Sequence, residues 1–259
     1  MKLLILGYSD FSKRRILPIL GKKFYKINLG IASRTRFKKD TLKNILWFND
    51  YKKAIELFQP DIIYISLPNS KHYYWSKYAL KKKINVIVDK PICLKIEQAK
   101  ELIMLSKKNR CLISEATIFD YHKQISESIK LIGGLKKISH ISSFFCIPKP
   151  QKGNIKLFNK LGGGSFNDMS PYAAGICRVF LKKIPNKIFA IAVVKKKIIE
   201  SFSILVKDKF SINAYFSHND HYINEINLFS QKRRVSIKRA FSPDPNENYY
   251  IDLIQNNKI

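Results

Sequence analysis

Short apolar runs alternate with amphipathic stretches over the first 115 residues, and this rhythm restricts the chain more than any other feature. Lys2–Leu6 and residues 27–32, 61–67, 85–88 and 110–114 read as strands. Residues 12–20, 50–58, 71–82 and 96–108 carry apolar side chains at helical spacing, as Ala54, Ile55 and Phe58 show. Residues 42–47 are too short to classify. Strands alternating with helices of this length call for βαβ units and a parallel sheet. The strands are nearly continuous in apolar residues, which a sheet covered on both faces requires.

After Glu115 the rhythm changes. One helix, at 121–132, ends in Gly133-Gly134. Alternating segments follow at 138–146, 188–194, 198–206, 210–216, 226–229 and 234–237. A glycine-rich turn running into a helix occupies 162–181. Successive strands with little helix between them imply a mostly antiparallel sheet. The expected fold is α/β: a Rossmann dinucleotide-binding domain at 1–115, then an α+β domain at 116–259 with a large, mostly antiparallel sheet. A length of 259 residues suits two domains of ordinary size.

Charge narrows the partners. The chain has 48 Lys+Arg against 19 Asp+Glu, a net +29. Such a balance points to polyanions. The excess is mostly lysine, however, and it comes with abundant Ile, Asn, Phe and Tyr. All five have AT-rich codons, so genome composition accounts for the surface and no specific nucleic-acid partner is expected. No apolar run reaches the ~18–20 residues of a membrane span. The opening Met1 to Leu6 run is too short for a signal-peptide core. Cys93, Cys111, Cys146 and Cys177 are scattered without a C-x-x-C pair, which predicts reduced thiols in a cytoplasmic protein and no metal site.

The chemistry lies in the turns. A dinucleotide fingerprint places G-x-G-x-x-G after the first strand, so that the backbone can approach a pyrophosphate. Here the run is Gly7-Tyr8-Ser9-Asp10-Phe11-Ser12, with one glycine and two serines at the fingerprint positions. An NAD site usually carries Asp or Glu after the second strand to hold the ribose hydroxyls. This chain has Ser33-Arg34, then Arg36, Lys38 and Lys39. A guanidinium suits a 2′-phosphate, so NADP(H) is expected over NAD(H).

Three further segments complete the pattern: Leu67-Pro68-Asn69-Ser70-Lys71-His72, Asp89-Lys90-Pro91, and Gly162-Gly163-Gly164-Ser165-Phe166-Asn167-Asp168-Met169-Ser170-Pro171-Tyr172. Together they resemble the Gfo/Idh/MocA family of NAD(P)-dependent oxidoreductases, whose E-K-P stands here as D-K-P. The P-N-x-x-H loop is intact, and Ser170 replaces a glycine in the third segment. Glu115-Ala116, Tyr121-His122 and Gly133-Gly134-Leu135 extend the resemblance over residues 3 to 240. Sugar and nucleotide-sugar ketoreductases are the most similar members. The resemblance implies cofactor contacts from Gly7, Ser9, Asp10, Phe11, Ser12, Ser33, Arg34, Leu67, Pro68, Asn69, His72, Asp89 and Lys90. It also implies a homo-oligomer formed through the C-terminal sheet.

Hydride transfer to a ketone leaves negative charge on oxygen, so an acid must stand within reach. Lys90 can donate a proton or stabilise the oxyanion. Tyr172 is the second donor, approaching the same oxygen from the other domain. Asp168, four residues earlier on one helix, shares a face with it and can accept from a sugar hydroxyl. Two departures leave a second reading open. Two fingerprint glycines are absent, and family members continue past residue 259 with a helix and a last strand, for which the polar stretch 246–259 is a poor replacement. In that reading the chain is a catalytically degenerate member acting as a basic binding or partner protein.

Overall fold

The computed structural model describes residues 1–23, 26–34, 45–243 and 249–255. The chain divides into two compact units, Met1–Ala116 and Thr117–Ile259.

In the first unit six parallel strands form one sheet in the order β3-β2-β1-β4-β5-β6. They are β1 (Lys2–Leu6), β2 (Asn28–Ala32), β3 (Ile45–Phe48), β4 (Ile62–Ile65), β5 (Asn85–Val88) and β6 (Ile113–Glu115). The period-2 pleat explains the continuous apolar runs. Leu4, Leu6, Ile63, Ile65, Val86 and Val88 bury into one core. Leu3, Ile5, Ile31 and Tyr64 bury into another. Residues 12–20 begin not as an α-helix but as a π-helical turn, Ser12–Ile16, which passes into α1 (Leu17–Lys23). The other helices are α2 (Tyr51–Phe58), α3 (Asn69–Lys81) and α4 (Ile96–Asn109). Asp50 caps α2, accepting from the Lys53 N–H at 2.8 Å. The strand order reverses at β1, between β2 and β4, and open α/β sheets bind ligands beyond the carboxyl ends of the strands at such a point.

In the second unit α5 (Lys123–Leu131) and α6 (Ser165–Ile176) precede and interrupt a seven-stranded sheet ordered β13-β12-β11-β7-β10-β9-β8. Its strands are β7 (His140–Cys146), β8 (Lys187–Lys195), β9 (Ile198–Lys207), β10 (Ser211–Ser217), β11 (Ile223–Phe229), β12 (Arg233–Lys238) and β13 (Ile251–Gln255). Only β7 and β10 pair in parallel; the other ladders are antiparallel. The C-terminal stretch therefore differs from expectation. Residues 251–255 add an edge strand to β12, with Ile251 and Leu253 packed on the core while Asp252 and Ile254 face outward. Two apolar side chains in alternation suffice for an edge, however polar the surroundings. At the opposite edge β8 is exposed along its whole length.

Gly175 sets how closely α6 approaches the core. A Cβ there would lie 2.6 Å from Cε1 of Phe119, a fully buried ring packed on Tyr172 and Phe241. With no room for the ring to yield, Gly175→Ala should cost about 1–3 kcal/mol. Thermal denaturation should show a fall of roughly 2–10 °C. An unchanged Tm would contradict this packing.

Candidate active site

Gly7 ends β1 with φ +97° and donates its N–H to the Ala32 carbonyl at 2.9 Å. A Cβ here would lie 2.2 Å from the Ser66 carbonyl oxygen, so only glycine fits the turn. The two serines that replace fingerprint glycines are used within the turn. Ser9 Oγ accepts from the Ser12 N–H at 3.0 Å, and Ser12 Oγ donates to the Ser9 carbonyl at 2.8 Å. Ser9 Oγ also lies 2.6 Å from Ser66 Oγ, at the end of β4. Asp10 and Phe11 are exposed, and Asp10 pairs with Lys13 at 3.5 Å. After β2, Ser33 is buried and its N–H bonds the Phe48 carbonyl at 2.9 Å, while Arg34 is exposed. Arg36, Lys38 and Lys39 lie outside the described residues. A backbone kept free of a side chain at Gly7 fits the close approach of a dinucleotide's pyrophosphate.

The loop after β4 brings Leu67, Pro68 and Asn69, all half-buried, to the start of α3. His72 is fully buried. Its Nδ1 lies 2.7 Å from the Pro91 carbonyl and its Nε2 2.7 Å from the Leu67 carbonyl. The ring thus ties the P-N-S-K-H loop to the D-K-P segment. Asp89, following β5, accepts from Ser66 Oγ at 2.7 Å and from the Tyr64 hydroxyl. Burial, and then the Asp89 carboxylate, push the Tyr64 phenol far above its ordinary pKa. Lys90 comes next, half-buried at the carboxyl edge of the sheet.

In the second unit Gly162 (φ +76°), Gly163 and Gly164 (φ +100°) lead into α6. A Cβ on Gly163 would lie 2.5 Å from the Lys156 carbonyl, so the run keeps the loop at 156 against the helix start. Asp168 stands in the first turn of α6, and its Oδ2 accepts from Lys156 Nζ and from His218 Nε2, the latter at 3.0 Å. The His218 and Asp168 side chains are only 5% and 13% exposed, so the carboxylate sits in a largely buried polar cluster rather than a solvated surface pair. Tyr172, one turn on, has its ring centroid 5.2 Å from Phe145, 5.1 Å from Phe241 and 6.0 Å from Phe119. Sequence reasoning missed Lys156 and His218. Neither belongs to a motif, and the only sign was the polar run Ser217-His218-Asn219-Asp220 closing a strand. No group of three or more metal-ligating side chains occurs among the described residues. Nor is any helix there long and apolar enough to cross a membrane.

Residues 1–117 match the model of an oxidoreductase family with an NAD-binding Rossmann fold, Gfo/Idh/MocA. That match spans the first unit. A dTDP-3,4-didehydro-2,6-dideoxy-alpha-D-glucose 3-reductase of Saccharopolyspora spinosa is 24% identical over 251 residues, covering 92% of this chain and 75% of the relative. A reductase of the same name from Streptomyces antibioticus is 27% identical over 250 residues, covering 92% and 76%. Among solved structures, a 3-ketoreductase from Actinomadura kijaniata in complex with NADP and TDP-benzene superposes with a TM-score of 0.89 at 22% identity. That match covers 99% of this chain and 82% of the other. Both units thus share the fold of that structure, a parallel Rossmann sheet followed by a mostly antiparallel one, and the likeness extends well past the Rossmann half.

Proposed function

We propose that this chain is a Gfo/Idh/MocA oxidoreductase that reduces a keto group on a nucleotide-linked sugar with NADPH. The observation that carries the reading is the relatives' shared identity as dTDP-keto-sugar 3-reductases, matched over 92% of this chain and so over both units. The NADP complex of the related 3-ketoreductase supports the cofactor. So does the exposed Arg34, where an NAD enzyme would present a carboxylate.

The nicotinamide supplies the hydride. Lys90 carries the labile proton and the positive charge that a forming alkoxide needs. Tyr172 is a second donor, but a neutral phenol brings no positive charge to the forming alkoxide, so Lys90 is the electrostatic centre. Asp168, held by Lys156 and His218, orients the sugar by accepting from a hydroxyl. Gly7 and the serines of its turn place the cofactor's phosphates, and the loop from Leu67 to Asn69 borders them.

A second copy of the chain covers the outer face of the large sheet. There Phe189, Ile191 and Leu205 are 61%, 77% and 49% exposed around a hollow of about 330 Å³. Sedimentation equilibrium should return a dimer or larger assembly; a monomer would refute this. The four free cysteines support a location in the reducing cytoplasm. Disulfides in the natively isolated protein would refute that.

NADPH should bind about ten- to a hundredfold more tightly than NADH, the contribution of a charge-assisted pair to phosphate. Arg34→Ala should remove most of the difference in a fluorescence titration, whereas equal affinities in the unaltered protein would end the assignment. With a dTDP-linked keto-sugar and NADPH, Lys90→Met should lower turnover by about 10²–10⁴. Tyr172→Phe should cost less, and Asp168→Asn should act mainly on the sugar's KM. Near-normal turnover by Lys90→Met would show the mechanism to be wrong.

A further inference from the structure

Four polar groups at the switch point form a hydrogen-bond chain whose direction can be worked out from the number of protons available. Ser66 is buried and has one hydroxyl proton, which it donates to Asp89 Oδ2 at 2.7 Å. The 2.6 Å contact between Ser66 and Ser9 must therefore run the other way, with Ser9 donating. Ser9 then has no hydroxyl proton for any other acceptor, and its oxygen accepts from the buried Ser12 N–H at 3.0 Å. The chain reads Ser12 N–H to Ser9, Ser9 to Ser66, Ser66 to Asp89. It runs from the turn after β1, across the end of β4, to the carboxylate after β5.

We propose that Ser66 and Asp89 are positioning residues for the dinucleotide turn. The carboxylate orients Ser66, Ser66 orients Ser9, and Ser9 fixes the backbone of the turn that glycines shape in the usual fingerprint. Neither Ser9 nor Asp89 needs to touch the cofactor. The inference rests on the proposed function for its ligand, though not for its hydrogen bonds. Tyr64 lies outside the chain, since it donates to the other oxygen of Asp89.

Because the links are in series, breaking any one should release the turn. Ser9→Ala and Ser66→Ala should each weaken NADPH binding by about five- to thirtyfold, the usual range for one lost buried hydrogen bond. The double variant should be no worse than either single one, the mark of a shared pathway. NADH binding should fall by the same factor, because both cofactors share the pyrophosphate, whereas Arg34→Ala should affect NADPH alone. Ser66→Thr, which keeps the hydroxyl, should restore affinity. Tyr64→Phe should lower Tm yet leave the Ser66 to Asp89 link and the affinity within about twofold. Without cofactor, hydrogen–deuterium exchange of a peptide spanning residues 8–16 should quicken in Ser9→Ala and Ser66→Ala and stay slow in Ser66→Thr. Additive losses in the double variant, or exchange in Ser66→Ala equal to that of the parent, would overturn the inference. If the parent chain shows the exchange effect but binds no nicotinamide cofactor, the lock stands and the proposed function falls.

Discussion

The closeness of two backbones at the end of the parallel sheet governs the first unit. β1 and β4 are neighbours, and the chain leaving β1 passes so near the Ser66 carbonyl that no side chain fits at Gly7. That approach exists because both strands are buried on both faces and hold fixed register. The turn's position is thus set by two cores, and the positive φ at Gly7 is its local cost. Everything assigned to cofactor binding hangs from that point: the serine turn, the end of β2 with Ser33 and Arg34, and the loop fixed by His72.

The second unit solves a different problem. Its sheet has one face packed against α5 and α6 and the other largely uncovered, which suits antiparallel strands. α6 carries Asp168 and Tyr172, and packing fixes both through residues with no room to move. Gly163 admits the loop at 156, and Gly175 admits Phe119. Asp168 enters a polar cluster while Tyr172 enters an aromatic one, so two residues a single turn apart occupy very different surroundings.

Much of this was legible in the sequence, for identifiable reasons. The burial of Leu3 to Leu6 on alternate faces produces an unbroken apolar run, so the parallel sheet showed itself directly. The one-sided sheet left the period-2 pattern that marks its strands. β13 escaped because an edge strand needs only Ile251 and Leu253 on the core and is otherwise polar. Motifs singled out Lys90, Asp168 and Tyr172 as candidates, since each stands in a recognisable local string. They did not show His218, Lys156, Tyr64 or Ser66, whose partners lie 50, 12, 25 and 23 residues away in the chain. Local spacing carries no information about such pairs; only the folded register brings them together.

The surroundings of Asp168 bear on how this site could be moved or altered. Its carboxylate rests on a helix, but its cation comes from the loop at 156 and a further hydrogen-bond partner from the turn after β10. A helix bearing only the G-G-G to Tyr172 string, grafted into another scaffold, would carry a largely buried anion without its compensation, a costly state. The smallest portable unit is therefore not the motif but three separate stretches held by one sheet.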